Sequence, residues 1–271
     1  MSTAVLNETK AEAAFSGQAP IFDEFYAENK IIEYKRHRVR SHFLSRLNPG
    51  SHILELNSGT GEDAIFFAEN GFEVHATDIS TGMQKQLREK AQSLITTGLV
   101  STELCSFTKL EELQQRGPYD AIFSNFGGLN CTKDLDKVLA SFDDLLKPGG
   151  TVTLVIISKF SLWESLLLFK GKFKTATRRW FASKGYPAHI EGNWFTCWYY
   201  KPSYLVKRMQ AKYRLTGLEG LCTIVPPSYI EHFADKSPAL YRKLIKLEDR
   251  FKESWPWKYW GDYFIISFQK Q

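Results

Sequence analysis

The sequence contains no apolar run long enough to cross a membrane. Its longest such run, TLVIIS near residue 155, is far shorter than the roughly 20 residues that a membrane-spanning helix needs. Residues 1–17 lack the basic start and the apolar stretch of a secretory signal peptide. We therefore expect a cytoplasmic protein with no stable membrane insertion.

Cysteine is scarce, and the net charge is small. The four cysteines, Cys105, Cys131, Cys197 and Cys222, form no C-x-x-C pair and have no histidine close by in sequence. This spacing argues against a zinc site and a disulfide framework, so we expect no metal. A formal charge of +5 on 271 residues is mild, whereas nucleic-acid-binding proteins concentrate basic residues in a stripe. We therefore expect no nucleic-acid partner.

The sequence is instead rich in alternating strand and helix patterns. Short apolar strands are predicted at 52–56, 72–77, 101–107, 119–124 and 151–157, with amphipathic helices between them. Repeated strand-then-helix units favour a parallel sheet with helices on both faces, and right-handed crossovers make it doubly wound. The predicted fold class is therefore α/β, with a Rossmann-like sheet.

Two segments depart from this alternation. Residues 1–19 predict a flexible tail, and residues 20–47 predict a helical segment before the first strand. After the fifth strand, residues 159–200 predict an amphipathic helix and then two aromatic-rich strands that turn at EGN. We interpret 20–271 as one domain, in which 159–200 is a lid or substrate-binding insertion.

The loop after the first strand carries the most informative motif. SGTGEDA fits the dinucleotide pattern G-x-G-x-x-A, and Asp78 follows on the second strand. Glu62 and Asp63 lie in the first turn of the next helix, however, where they would repel the phosphates of a dinucleotide. A ligand with a ribose, an adenine and a sulfonium but no phosphate fits better, which indicates S-adenosylmethionine. Asp78 could accept hydrogen bonds from the ribose, and Glu55 could pair with the ammonium group.

These motifs together resemble those of the class I S-adenosylmethionine-dependent methyltransferases that act on small molecules. The resemblance rests on LELNSGTGEDA, VHATDIS, YDAIFSNFGGLN and LLKPGG, and it covers 35–158 closely and the rest in outline. It implies a seven-stranded sheet with one antiparallel strand. The implied cofactor-binding residues are Glu55, Asn57, Gly59, Gly61, Asp78, Ile79, Met83, Ser106, Phe107, Asn125, Phe126 and Arg40.

Two positions depart from the family pattern. Asn57 stands where a glycine is common, and asparagine tolerates a left-handed backbone better than most residues. The third strand ends in CSFTKL, without the acidic residue that often binds the adenine amine, so Ser106 or a backbone carbonyl would substitute. Arg40 is our choice for the donor carboxylate, in competition with Arg36 and Arg38.

No residue stands out as a general base. His189, Asn130 and His37 are candidates, although a lone histidine is more often structural or exposed, and Asn130 could cap a helix. We expect the acceptor between the N-terminal helix, the FGGLN loop and the insertion.

The insertion is unusually aromatic and also basic. Its aromatic residues predict either a lid over a flat or apolar acceptor, such as a phenol, quinone, polyketide or lipid-like compound, or a small separate core. Its basic residues predict a solvated surface, an acidic acceptor or membrane headgroup contact. The aromatic residues are Trp163, Trp180, Trp194, Phe195, Trp198, Tyr199 and Tyr200, and the basic ones are Lys170, Lys172, Lys174, Arg178, Arg179 and Lys184.

The sequence is also compatible with other functions. Acidic residues in a first helical turn can simply stabilise the helix dipole, and an NAD(P)-dependent oxidoreductase would use a similar fold. Against a nucleic-acid methyltransferase, strand four ends in SNFGG and not in the Asn-Pro-Pro-aromatic motif of base-amine methyltransferases. The sequence is also compatible with a non-catalytic binding module. It does not distinguish a monomer from a homodimer.

Overall fold

A seven-stranded sheet forms the centre of the protein. The computed structural model describes residues 3–230 and 232–271. The sheet has the order β3-β2-β1-β4-β5-β9-β8, and β9 is antiparallel to both of its neighbours. The predicted sheet with one antiparallel strand is confirmed. The strands are β1 His52–Leu56, β2 Glu73–Asp78, β3 Val100–Leu104, β4 Tyr119–Ser124, β5 Leu146–Ile157, β6 Tyr186–Ile190, β7 Asn193–Cys197, β8 Tyr213–Leu221 and β9 Tyr263–Lys270.

Helices cover both faces of this sheet. The α-helices are α1 Thr3–Ala27, α2 Lys30–Leu44, α3 Glu62–Glu69, α4 Thr81–Lys90, α5 Gln92–Thr96, α6 Leu135–Ser141, α7 Leu162–Ser165, α8 Phe173–Thr177, α9 Pro202–Met209, α10 Phe233–Lys236 and α11 Pro238–Phe251. Short 3₁₀ turns lie at Phe107–Glu112, Gly128–Cys131, Leu166–Lys170 and Trp257–Tyr259.

Side chains of the central strands alternate between two separate cores. Leu54 and Leu56 of β1 pack with α6 and α9, whereas Ile53 packs with α2, α3 and α4. A strand that is buried on both faces needs apolar residues at successive positions, which explains the continuous apolar runs in the sequence. The strand order reverses between β1 and β4, so their following loops diverge and leave a crevice at the carboxyl edge.

The N-terminal region differs from the sequence-based expectation. The predicted flexible tail at 1–19 is wrong for the described residues, because α1 begins at Thr3 and continues to Ala27. Its inward positions are small or polar, as Ala11, Ala14 and Asn7 are all buried. A helix that buries small residues lacks the apolar periodicity of an ordinary amphipathic helix, which is why the pattern was not visible.

The insertion at 159–200 contains the predicted hairpin but no single long helix. Strands β6 and β7 pair antiparallel, and they turn at Glu191 and Gly192, which both have positive φ. The amphipathic helix expected near 160 is divided into α7, a 3₁₀ turn and α8. Two residues of the expected basic surface are ion-paired instead, since Arg178 and Arg179 both contact Glu164.

The described chain lacks two kinds of feature. Between residues 3 and 271, with Glu231 left aside, no helix has both the length and the apolar character for crossing a bilayer. The same residues contain no group of three His, Cys, Asp or Glu side chains placed to hold a metal ion. All four cysteines are free thiols.

The close approach of α1 to α4 predicts that Gly82→Ala loosens α1. A Cβ at Gly82 would lie 2.7 Å from the carbonyl oxygen and 2.9 Å from the Cα of Ser16, so the backbone of α1 would have to shift. Overpacking of this kind typically costs about 1–3 kcal/mol. We expect a lower melting temperature and faster limited proteolysis within α1.

Gly17→Ala is the matched control, because a Cβ there meets only the Cβ of Glu191, at 3.5 Å. This variant should keep the wild-type cleavage rate. Equal cleavage rates in Gly82→Ala and Gly17→Ala would show that α1 is not held by this contact.

Candidate functional site

The crevice between the ends of β1 and β4 contains an enclosed cavity of about 160 Å³. Helix α1 closes it from outside, and the loops after β1, β2, β3 and β4 form its other walls. Of the residues predicted to bind the cofactor, all but Gly61 and Arg40 line it: Glu55, Asn57, Gly59, Asp78, Ile79, Met83, Ser106, Phe107, Asn125 and Phe126. We call this cavity the donor pocket.

The loop after β1 takes the shape that its sequence predicts. Asn57 has a φ of 48° and Gly59 a φ of 56°, so the asparagine adopts the left-handed conformation in place of the family's glycine. Its side chain also joins two loops, because Nδ2 donates to the carbonyl of Asn125 at 3.0 Å and Oδ1 accepts from Ser124 Oγ at 2.6 Å. The loops after β1 and β4 are therefore fixed to each other.

Gly61 has a packing role at the start of α3. It has a φ of 84°, and a Cβ there would lie 1.8 Å from Leu87 Cδ1. The residue does not line the donor pocket. Its observed role is to bring α3 against α4, and its contact with a cofactor stays a prediction.

Asp78 lies at the end of β2, with its carboxylate between two loops. Oδ2 accepts from the backbone N–H of Gly59 at 2.9 Å, and Oδ1 accepts from that of Ser80 at 2.8 Å. Burial raises the pKa of Asp78, while the backbone hydrogen bonds act in the opposite direction. Asp78 lines the pocket, so the lone pairs that these bonds leave could accept hydroxyl protons.

Glu55 is a buried carboxylate that lacks a complete set of partners. Its side chain lines the donor pocket, the residue is 2% exposed, and Oε2 accepts no hydrogen bond within the described residues. Burial raises the pKa of Glu55 well above its ordinary value, and the charge of Asp63 adds to this effect. An unpaired acceptor in such a position is costly unless a bound ligand supplies a proton or a cation.

The carboxylates of the first turn of α3 are paired, which the sequence did not reveal. Glu62 contacts Arg36 at 3.2 Å and Lys90 at 2.8 Å, and Asp63 contacts Arg40 at 2.6 Å. These pairs weaken the repulsion that the sequence predicts towards phosphate. The pocket as a whole is nevertheless acidic, because five carboxylates and one guanidinium line it in the described chain.

The basic residue that reaches the pocket is Arg36 and not Arg40. Arg40 donates from Nε to Asp63 Oδ1 and from a terminal nitrogen to the carbonyl of Glu62, both at 2.6 Å. Arg38 is buried against Glu219 at 2.8 Å. Arg36 lines the pocket, and its Nε has no partner among the described residues. Of the three arginines considered, Arg36 is therefore placed to meet an anionic group.

Sequence reasoning missed Glu8 of α1, which contacts the loop after β3. Its Oε2 accepts from Ser106 Oγ at 3.0 Å and from Thr108 Oγ1 at 2.9 Å. Glu8 lines the pocket beside Ser106 and Phe107. The only signal for it was the helix-forming composition of residues 8–15, which we interpreted as a tail.

None of the candidate general bases lies in the donor pocket. His189 is exposed on β6 and stacks on Trp194, with the ring centroids 4.6 Å apart, and His37 is exposed on α2. Asn130 is buried, and its amide donates to the carbonyls of Ile157 and Trp198 and accepts from the N–H of Ile157. Its amide therefore joins β5 and β7 to the loop after β4.

The sequence and the fold both match known proteins. Residues 53–150 match the family described as "Methyltransferase domain". Demethylmenaquinone methyltransferase of Listeria welshimeri is 30% identical over 158 residues, a match that covers 56% of this chain and 64% of that protein. The chain therefore spans less than two thirds of this relative. The S-adenosyl-L-methionine-dependent Diels-Alderase iccD of Talaromyces variabilis is 32% identical over 114 residues, covering 42% of this chain and 38% of that protein.

Among solved structures, 1,6-didemethyltoxoflavin-N1-methyltransferase of Burkholderia thailandensis, with S-adenosylhomocysteine bound, has the same fold. The TM-score is 0.59 at 13% identity, and the match covers 100% of this chain and 92% of that chain. The strand order, the loop after β1 and Asp78 at the end of β2 agree with this likeness. Residues 53–150 are thus a methyltransferase domain, and the chain has the fold of the class I S-adenosylmethionine-dependent methyltransferases.

Proposed function

We propose that the protein transfers a methyl group from S-adenosylmethionine to an O, N or C atom of a small, flat or apolar molecule, in the cytoplasm. One observation carries the proposal: the donor pocket is acidic and contains the buried carboxylate of Glu55, whose Oε2 has no partner among the described residues. A cationic nucleoside satisfies such a pocket, whereas a diphosphate would meet net repulsion.

The polar residues of the pocket suit the two ends of the methionine moiety. Glu55 is suited to pair with the ammonium group, because its Oε2 has no other partner. Arg36 is suited to the carboxylate, because its guanidinium borders the same cavity. These two contacts would fix the sulfonium near the loop after β4.

The nucleoside end would lie between β2 and α1. Asp78 is suited to the ribose hydroxyls, and Ile79 and Met83 supply apolar surface for the adenine. We assign recognition of the adenine amine to Glu8, whose carboxylate adjoins Ser106. In this chain α1 would thus supply the acidic group that the third strand lacks.

In methyl transfer, the residues of this chain would align the acceptor with the methyl carbon of the donor and exclude water. The bound donor supplies an activated methyl carbon, so a general base is needed only if the acceptor holds a proton at neutral pH. No histidine borders the donor pocket in the part of the chain described here. An acceptor that is already nucleophilic agrees best with this arrangement.

The relatives support a ring-shaped acceptor and also raise a second function. Two of them are named for demethylmenaquinone and for 1,6-didemethyltoxoflavin, and the aromatic insertion of this chain suits a flat compound. The Diels-Alderase relative is named for a different reaction. A donor-dependent cyclisation without methyl transfer is therefore the second candidate.

Donor binding and methyl transfer can be measured separately. S-adenosylhomocysteine should stabilise the protein by about 2.7 kcal/mol at a hundredfold excess over its Kd, whereas NAD should have no effect. With methyl-labelled donor and fractionated cell extract, label should enter a small molecule. Binding without any labelled product would favour the cyclisation. Label in RNA or protein would contradict the proposed class of acceptor. Stabilisation by NAD alone would contradict S-adenosylmethionine as the donor.

Donor binding should release a proton from Glu55. Its pKa is raised in the free protein, and an adjacent ammonium group would lower it again. Affinity for S-adenosylhomocysteine should therefore rise with pH until it passes the free-state pKa, and then level off. Calorimetry in buffers with different ionisation enthalpies measures the release directly.

Glu55→Gln should abolish this release and weaken binding. The exposed Glu89→Gln, which disturbs only the contact with Lys85, should retain both properties. Proton release that is unchanged in Glu55→Gln would place the titrating group elsewhere.

Glu8 should determine the preference for adenine. Wild-type protein should bind S-adenosylhomocysteine about tenfold more tightly than its inosine analogue, because a hydrogen bond to a charged acceptor is worth about 1.5–3 kcal/mol. Glu8→Gln should remove this preference, since its amide can also donate to the inosine oxygen. Glu12→Gln, one turn along α1 and bonded to Ser16, is the control; equal preferences in Glu8→Gln and Glu12→Gln would exclude the assignment.

A further inference from the structure

A second, larger cavity lies on the other side of α1. Its volume is about 970 Å³, which is within the range of ligand sites, about 300–1,000 Å³. Asn7 of α1 borders it, whereas the next residue, Glu8, borders the donor pocket. Lys133 and Lys159, which follow the ends of β4 and β5, place it at the same edge of the sheet.

The charge of this cavity is opposite to that of the donor pocket. Five lysines line it, and no carboxylate does so within the described chain: Lys133, Lys159, Lys184, Lys201 and Lys207. Among residues 3–230 and 232–271, no ion pair involves Lys159, Lys184, Lys201 or Lys207. Positive charge is therefore concentrated around this cavity, without a carboxylate on its described walls to offset it. We call the cavity the lysine pocket.

A helix N-terminus adds further positive potential. Helix α9 begins at Pro202, and its N-cap residue Lys201 makes no side-chain capping bond. Ser203 of the first turn borders the cavity. Pro202 has no N–H, and the N–H of Tyr204 donates to the carbonyl of Lys201, so it is the positive end of the helix dipole that adds to the charge of the lysines. Two independent features therefore favour the same charge of ligand.

The walls are aromatic and held in place by hydrogen bonds. The aromatic side chains are Trp198, Tyr199, Tyr200 and Tyr204. The hydroxyl of Tyr200 donates to the carbonyl of Thr132 at 2.7 Å, and the N–H of Lys159 donates to the carbonyl of Tyr200 at 2.9 Å. The rings of Tyr200 and Tyr204 lie 5.4 Å apart. These contacts fix aromatic surface beside the ammonium groups.

We propose that the lysine pocket binds an organic anion that carries a phosphate or carboxylate group on a flat apolar body. The lysines and the start of α9 recognise the anionic group, and the aromatic walls contact the flat part. This site is distinct from the donor pocket, and the proposal does not depend on methyl transfer. The exposed side chains of Lys170, Lys172 and Lys174 do not border this cavity and are not part of the proposed site.

Phenyl phosphate, benzoate and phenol are suitable probes, because they share a ring and differ in charge. Calorimetry at low ionic strength should show saturable binding of phenyl phosphate, weaker binding of benzoate and no binding of phenol. Inorganic phosphate should bind more weakly than phenyl phosphate, because it lacks the ring. A comparison of the Kd values of phenyl phosphate and benzoate shows whether the site prefers a phosphate or a carboxylate group.

The double variant Lys159→Gln/Lys201→Gln should raise the Kd for phenyl phosphate at least about tenfold, since charge-assisted hydrogen bonds are lost. Lys170→Gln/Lys172→Gln removes the same charge from exposed residues outside the pocket and should change the Kd less than about twofold. Circular dichroism and binding of S-adenosylhomocysteine show whether each variant is folded. Equal losses in the two double variants, or no saturable binding to wild-type protein, would overturn the proposal.

Discussion

The carboxylate of Asp78 joins the loops from which the donor pocket is built. Through the N–H of Gly59 it holds the loop after β1, and through the N–H of Ser80 it holds the start of α4. Ser80 in turn caps α4, and its hydroxyl lies 2.8 Å from that of Ser16 on α1. The conformation of the loops after β1 and β2, and with it the contact between Ser80 and α1, therefore depends on a single buried carboxylate. Its burial is tolerable because backbone N–H groups satisfy both of its oxygens.

The parts of the site that the sequence predicted are those determined by local backbone geometry. A strand followed by Asn57, Gly59 and Gly61 specifies one tight loop, and the asparagine adopts the expected left-handed conformation. The position of α1 depends instead on contacts with α4 and β7, which are remote in sequence. Glu8 and Asn7 could not be assigned for that reason. Arg36 and Arg40 are one helical turn apart, and the location of Asp63 decides that Arg40 is drawn away while Arg36, paired with Glu62, lines the pocket.

The sequence predicts that Glu62 and Asp63 disfavour phosphate, whereas the pocket carboxylate without a basic partner among the described residues is that of Glu55. Glu62 and Asp63 are paired with basic side chains, so they contribute less negative potential than their formal charge suggests. Glu55 has no such pair, and its raised pKa shows how unfavourable its charge is in the free protein. The preference for a cation therefore originates inside β1. Carboxylates in a first helical turn are by themselves ambiguous, because the helix dipole stabilises them without any ligand.

Helix α1 is the shared wall of two cavities with opposite charge, and Asn7 holds this wall in place. Its amide donates to the carbonyl of Cys131 at 2.8 Å and to that of Thr196 at 3.1 Å, and it accepts from the N–H of Thr196 at 2.7 Å. The donor pocket encloses only about 160 Å³, whereas ligand sites usually measure about 300–1,000 Å³. Binding of a nucleoside there would require the walls to adjust, and the bonds of Asn7 to β7 hold the α1 wall in place. Strand β7 leads directly into Trp198 and the lysine pocket. A ligand of the lysine pocket that repositions β7 would therefore change the free energy of donor binding. The donor would change the binding free energy of that ligand by the same amount.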